Sequence, residues 1–132
     1  MVVTDANGVP IAIDTQAANH HEVKLVTSTI ESRFISDLPQ CLIGDKAYDS
    51  DPLDAELHEL DIDMIAPHKK NRKKAATQDG RKLRRYKRRW KVERFFAWLF
   101  NFRRTVVRYE HKSQNYKAFI QLASIIILLR QF

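Results

Sequence analysis

Residues 84–102 read RRYKRRWKVERFFAWLFNF, a cationic stretch that passes directly into an aromatic one. At about 100° per residue, Tyr86, Arg89 and Glu93 fall within about 60° of one another on a helix. The residues after Glu93 are apolar nearly all round, which is typical of a buried helix. The pattern predicts one long helix over about residues 84–104.

A carboxylate at Glu93 in a buried helix would need a cation or a metal as partner. One hypothesis is an ion pair with Arg89, four residues earlier. The other is a metal ligand. Trp90 and Trp98 could stack on bases, but the distribution of aromatic residues around the helix favours core packing.

A second candidate acid follows a short apolar run. Cys41–Ile43 predicts a buried strand, which Gly44 and Asp45 follow. A lone aspartate here is often a turn former, yet ligand sites in open α/β sheets gather at the carboxyl ends of strands. Asp45 and Glu93 together would offer two hard oxygen ligands of the kind Mg²⁺ prefers.

The rest of the chain predicts a mixed α/β fold. Asn7-Gly8 indicates a hairpin that joins strands over residues 2–4 and 9–13. The other predicted elements are a helix over 22–34, a helix that starts at Asp51-Pro52, a strand over 62–66, a turn at Gln78-Asp79-Gly80 and a last helix over 115–130.

The 132 residues are 44% hydrophobic and carry a formal net charge of +7, which predicts one folded domain over residues 1–132. Residues 1–67 hold three Lys or Arg against thirteen Asp or Glu. Residues 68–89, HKKNRKKAATQDGRKLRRYKRR, hold twelve Lys or Arg in 22 positions. This density predicts a segment that contacts DNA phosphates. The alternative is a solvated loop.

Other classes of protein are excluded or disfavoured. No apolar run is long enough to span a bilayer, and the N-terminal residues lack the pattern of a signal peptide. The single Cys41 excludes an internal disulfide framework and a cysteine-rich zinc module. We therefore expect a cytoplasmic protein with a nucleic-acid partner.

Four segments resemble bacterial insertion-sequence DDE transposases, most closely the insertion sequence five group. They are residues 14–19, GDKAYDS (44–50), IAPHKKNRKK (65–74) and RRYKRRWKVERFFAWLFNFRRTVVRYE (84–110). The resemblance implies an RNase H-like fold in which three carboxylates hold two Mg²⁺ or Mn²⁺ ions. It makes Asp45 the second acid and Glu93 the third, both as metal ligands in catalysis.

Two departures from the family pattern stand out. Tyr86 and Arg89 match the tyrosine and arginine of the signature around the glutamate, but the basic residue expected seven positions after it is Phe100 here. No residue matches the first acid, which the family carries on a strand before the hairpin. Asp5 in the turn and Asp14 after the hairpin are not expected to replace it. The resemblance thus implies a C-terminal portion without its first strand, either a frameshift half or a truncated copy.

By this resemblance, the complete protein cleaves DNA at the ends of an element and transfers the strands into target DNA. The residues expected to bind phosphates are Lys69, Lys70, Arg72, Lys73, Lys74, Arg84, Arg85, Arg88 and Arg89. With two of three acids, we expect the chain alone to be inactive.

The alternative is a non-enzymatic DNA-binding fragment that modulates full-length transposase, and a third hypothesis is a basic fold whose cations only keep it soluble. The expected partners are double-stranded DNA of the element ends and target, together with an upstream-frame product or full-length transposase. No membrane partner is expected.

Overall fold

The computed structural model describes residues 1–17, 19–77 and 80–130. Within these residues the chain is mixed α/β, as predicted, with two two-stranded sheets. In chain order the elements are β1 (Val2–Thr4), β2 (Pro10–Ile13), α1 (Val26–Glu31), β3 (Cys41–Ile43), α2 (Asp51–His58), β4 (Asp63–Ile65), α3 (Gly80–Leu83), α4 (Trp90–Leu99), α5 (Arg103–Val106) and α6 (Ser113–Leu129). Short 3₁₀ helices cover Glu22–Leu25, Lys46–Tyr48 and Arg84–Arg88. Gln78 and Asp79 of the predicted turn lie outside the described residues.

The predicted N-terminal hairpin is confirmed. β1 and β2 pair antiparallel, and the turn between them relies on Gly8, whose φ of +88° suits glycine. Asp5 closes the turn, since its Oδ1 accepts hydrogen bonds of 2.8 Å from the backbone N–H groups of Asn7 and Val9. Local sequence chemistry is therefore enough to build this element.

β3, α2 and β4 form a parallel β-α-β unit. Cys41 pairs with Asp63 and Ile43 pairs with Ile65, so the two strands run side by side in the same direction. α2 begins at Asp51 with a proline in its first turn. This topology puts the residues after Ile43 at the carboxyl edge of the small sheet.

The predicted helix over residues 84–104 is wrong as a single element. The cationic part is a 3₁₀ helix, and α4 ends at Leu99. The Thr105 hydroxyl donates to the carbonyl oxygens of Leu99 at 2.6 Å and Phe102 at 2.8 Å. These bonds help to satisfy carbonyl groups at the end of α4, where helices leave acceptors free. The helix predicted over residues 22–34 likewise divides into the 3₁₀ turn Glu22–Leu25 and α1.

Two apolar clusters hold these elements together. One joins β2, α4 and α6 through Ile13, Phe95, Leu99, Ile120, Ala123 and Ile127. The other surrounds the β-α-β unit with Val26, Ile30, Leu42, Leu53, Leu57 and Ile62. Among the described helices, none has the length and hydropathy required to cross a membrane. The first cluster fixes α4 from its inner face and leaves the outer face available for a site.

Candidate catalytic site and basic surface

Asp45 lies just after the carboxyl end of β3, at the edge of the sheet where the sequence predicts it. Its Oδ1 accepts a 2.8 Å hydrogen bond from the Ala47 backbone N–H and so caps the following 3₁₀ turn. Gly44 permits this sharp exit, because a Cβ there would lie 2.5 Å from Met64 and 2.7 Å from the Tyr48 ring. Asp45 is thus a turn former, and its side chain remains 44% exposed.

Glu93, on α4, is linked to Asp45 by the side chain of Arg89, which contacts both acids. The Arg89 guanidinium donates from Nη2 to Glu93 Oε1 at 2.7 Å, and its Nη1 lies 3.8 Å from Asp45 Oδ2. It also lies 5.5 Å from the centre of the Tyr86 ring. The structure therefore brings the two predicted acids and Tyr86 to one cation, Arg89.

Glu93 is not buried, contrary to the expectation for a helix apolar nearly all round. Its side chain is 58% exposed, because α4 turns Phe95 and Leu99 toward the core and leaves the Glu93 face open. In the structure, Glu93 forms the ion pair with Arg89 that was the first of the two hypotheses. Phe100, which stands where a basic residue was expected seven positions after the glutamate, is also exposed.

The N-terminal hairpin helps to position α4. Arg94 donates to the Asn7 carbonyl at 2.8 Å, and Lys91 donates to the carbonyl of Ala6. The Arg94 guanidinium also lies 4.8 Å from the ring centres of both Trp90 and Trp98. Core packing holds for Phe95 but is wrong for Trp90, which is half-exposed. Trp98 is partly buried against the first cluster as well as beside Arg94, whereas Trp90 packs on the cation outside the core.

Neither of the remaining N-terminal aspartates joins Asp45 and Glu93. Asp5 is occupied within its turn. Asp14 is buried and accepts from Gln16 at 2.8 Å and from Lys117 at 3.1 Å. Burial opposes its ionisation, but these hydrogen bonds outweigh that effect and lower the pKa of Asp14.

A centre for two hard cations needs several oxygen ligands close together. Asp45 and Glu93 are hard oxygen donors, yet over residues 1–17, 19–77 and 80–130 no three His, Cys, Asp or Glu side chains group as metal ligands. Arg89 lies beside both acids and offsets part of their charge. The described residues therefore do not fit a complete two-metal site.

Several cationic side chains of residues 82–89 lie along the sheet of β3 and β4, and the last of them contacts Asp45 and Glu93. Arg85 lies beside the start of β3, with Nη1 3.6 Å from Cys41 Sγ, while Arg89 reaches Asp45, the second residue after β3. Lys82 pairs with Asp63, at the start of β4, at 2.8 Å. Arg84 and Arg88 are exposed. The 3₁₀ segment thus presents exposed predicted phosphate ligands in the residues that lead up to Arg89, which contacts Asp45 and Glu93.

The other half of the basic segment is residues 68–77, here called the basic loop. It folds back on Asp49, which receives hydrogen bonds from His68, Arg72 and the backbone N–H of Lys69. Sequence reasoning missed Asp49, although it lies in GDKAYDS and its partners lie in IAPHKKNRKK. Two segments that carry the family resemblance therefore contact each other.

The pKa values of neighbouring aspartates reflect this network. Burial opposes the ionisation of Asp49, but hydrogen bonds from Lys69 and His68 and the charge of Arg72 outweigh it and lower the pKa. Hydrogen bonds from Lys74 and Arg72 lower the pKa of Asp51. The network therefore favours ionised carboxylates under the basic loop.

The family of the chain follows from its sequence similarity to known proteins. Residues 1–128 match the family model of the transposase DDE domain, and the chain belongs to that family. It is 31% identical over 134 aligned positions to the putative transposase for insertion sequence element IS402 from Burkholderia cepacia.

The alignment covers 96% of this chain and 60% of that relative, so the chain spans about three fifths of the curated relative's length. No solved structure gives a significant match. The resemblance to insertion-sequence DDE transposases is thus confirmed, while the assignment to the insertion sequence five group stays a prediction.

Proposed function

We propose that this chain acts in DNA transposition as a DNA-binding section of a DDE catalytic domain, in which Asp45 and Glu93 are two of the three acids. The observation that carries the proposal is the convergence of both acids on Arg89, next to exposed cations. An RNase H-like arrangement and membership in the insertion sequence five group belong to the same proposal.

The described residues have defined tasks in this proposal. Exposed Lys and Arg side chains bind DNA phosphates and orient the duplex, without reading its sequence. Asp45 and Glu93 face the same place from different elements, so a scissile phosphate bound there would have carboxylates on two sides. Until a metal is bound, Arg89 offsets the repulsion between those acids.

We further propose that the chain does not cleave DNA by itself. Mg²⁺ or Mn²⁺ in the complete protein supplies the charge that phosphoryl transfer requires, and two acids fall short of the family's three. A third carboxylate is therefore still needed for the complete site. The same shortfall supports the second candidate function, a DNA-binding fragment that modulates full-length transposase.

Two assays on the full 132-residue chain test the proposal. The first is a mobility shift with a 30-bp duplex at 50 to 200 mM salt, and the second is nicking of supercoiled plasmid with Mg²⁺ or Mn²⁺. We expect binding that weakens steeply with salt and no nicking. Asp45→Ala and Glu93→Ala should leave binding in place.

Each contrary result has a distinct meaning. Metal-dependent nicking that disappears in Asp45→Ala and Glu93→Ala would show that the chain is a complete enzyme. No DNA binding at 50 mM salt would favour the basic but non-binding fold. If the chain lowered the activity of a full-length transposase on the same duplex, the modulator function would be supported.

A further inference from the structure

Asp49 is the anchor on which the basic loop folds. Its side chain is 4% exposed. Oδ1 lies 2.7 Å from Arg72 Nη1 and 3.0 Å from His68 Nδ1, and Oδ2 accepts from the Lys69 backbone N–H at 2.7 Å. Both carboxylate oxygens are thus occupied by residues of the loop, at a sequence distance of about twenty positions.

Arg72 is the cation that completes the anchor. Its side chain is 12% exposed. Besides the bond to Asp49, Nη2 donates to Asp51 Oδ1 at 2.6 Å and Nε donates to the Ala75 carbonyl at 3.2 Å. All three guanidinium nitrogens therefore donate within the protein, so this cation is turned away from an approaching phosphate.

Other cations of the basic loop face outward. Lys70 and Lys73 are exposed, and in the described part of the chain no ion pair holds either of them. Lys74 is exposed as well, but it pairs with Asp51 at 2.6 Å. Arg72 is thus held inside the loop and Lys74 is paired with an acid. Lys70 and Lys73 face outward and are not neutralised by an acid of the described residues.

His68, the first residue of the basic loop, connects Asp49 to Thr77, the last residue. Its Nδ1 contacts Asp49, and its Nε2 accepts a 3.3 Å hydrogen bond from the Thr77 backbone N–H. An acceptor at Nε2 and a carboxylate at Nδ1 assign the tautomer with hydrogen on Nδ1. The last residue of the basic loop is therefore tied to the Asp49 carboxylate through His68.

We propose that Asp49 and Arg72 are positioning residues that hold the basic loop in the shape in which Lys70 and Lys73 bind DNA phosphates. Arg72 itself does not bind DNA, which revises the role that its sequence suggests. A loop so rich in like charges would otherwise repel itself and extend, and ordering it in advance lowers the entropy cost of binding. This inference rests on the proposed DNA-binding function.

The sharpest test is a substitution that removes a negative charge and yet weakens DNA binding. Asp49→Asn and Asp61→Asn change the net charge equally. Asp61 is exposed, and its φ of 56° is one that asparagine tolerates, which makes Asp61→Asn the matched control. Simple electrostatics predicts equal or tighter binding for both variants.

We expect Asp49→Asn to bind a 30-bp duplex several-fold more weakly than the unsubstituted chain, and Asp61→Asn to bind at least as well. The slope of log K against log salt should fall by about two in Asp49→Asn, since each lost phosphate contact contributes roughly 0.9. Trypsin should cleave after Lys70 and Lys73 faster in Asp49→Asn, as read by mass spectrometry without DNA.

A second test does not depend on the fold of Asp49→Asn. In a Lys70→Gln/Lys73→Gln background, Arg72→Gln should leave the salt slope unchanged. A further fall of about one would make Arg72 a phosphate ligand and overturn the inference.

Failure of the inference differs from failure of the proposed function. If the unsubstituted chain binds DNA and Asp49→Asn binds as tightly as Asp61→Asn, only the inference is overturned. If the unsubstituted chain does not bind at 50 mM salt, both are overturned.

Discussion

Arg89 binds Glu93 through a 2.7 Å contact between Nη2 and Oε1, and the same guanidinium faces Asp45 at 3.8 Å. The Arg89 side chain is 35% exposed, so water still reaches this cluster. Ion pairs with such exposure contribute little to stability. A small contribution to stability is what the proposed role of Arg89 as a phosphate ligand requires.

Replacement of Arg89 tests this role. Arg89→Ala should change the free energy of unfolding by less than about 1 kcal/mol, as measured by urea denaturation. The same variant should bind a 30-bp duplex more weakly, because it loses a cation beside the proposed phosphate position. Arg89→Lys keeps the charge and serves as the control, with binding between the two. A stability loss above about 2 kcal/mol would instead assign Arg89 a structural role.

Features governed by neighbouring residues could be predicted from the sequence. Asn7-Gly8 specifies its turn through backbone conformations that few residues adopt. The apolar run Cys41–Ile43 predicts its strand because a short run of apolar residues before a turn is typical of a strand. The position of Asp45 then follows from the end of that strand. These parts need only short-range information.

The features that depend on tertiary packing could not be predicted. The end of α4 relies on hydroxyl bonds from Thr105, which no helical period reveals. The exposure of Glu93 depends on which face of α4 meets α6. The anchor at Asp49 forms only when residues 68–77 fold back over a distance of some twenty positions. Contacts of this kind carry no local signature.

Phe95 should be the most sensitive position of α4. It is fully buried between β2 and α6, so Phe95→Ala should cost about 3–5 kcal/mol. Phe100 is 56% exposed on the next turn, and Phe100→Ala should cost under about 0.5 kcal/mol. Urea denaturation of both variants measures the difference. Equal losses would contradict the assignment of the inner face of α4.

Asp14 should act in folding and not as the missing acid. Asp14→Ala leaves Lys117 without its carboxylate in a partly buried place, which should cost roughly 1–3 kcal/mol. Lys117→Ala removes the other partner, and the double variant should cost less than the sum of the two. Additive losses in this cycle would argue against the pair.

The basic loop should loosen in acid. The pKa values of Asp49 and Asp51 are lowered in the folded chain, so both carboxylates add stability above the unfolded value of about 3.9. That contribution is lost as the pH falls through the lower folded values. Trypsin has little activity there, so NMR order parameters of the backbone in residues 68–77 are the suitable measurement, and they should fall below about pH 4.

Two substitutions separate this effect from general acid unfolding. Asp49→Asn should lower stability at pH 7 and flatten the change in unfolding free energy between about pH 4 and 2, whereas Asp61→Asn should keep it. Asp54 acts in the opposite sense, because burial and the charges of Asp49 and Asp51 raise its pKa. Its ionisation in the folded chain costs free energy, so Asp54→Asn should not destabilise the protein at pH 7. An unchanged acid profile in Asp49→Asn would show that Asp49 does not link the loop to pH.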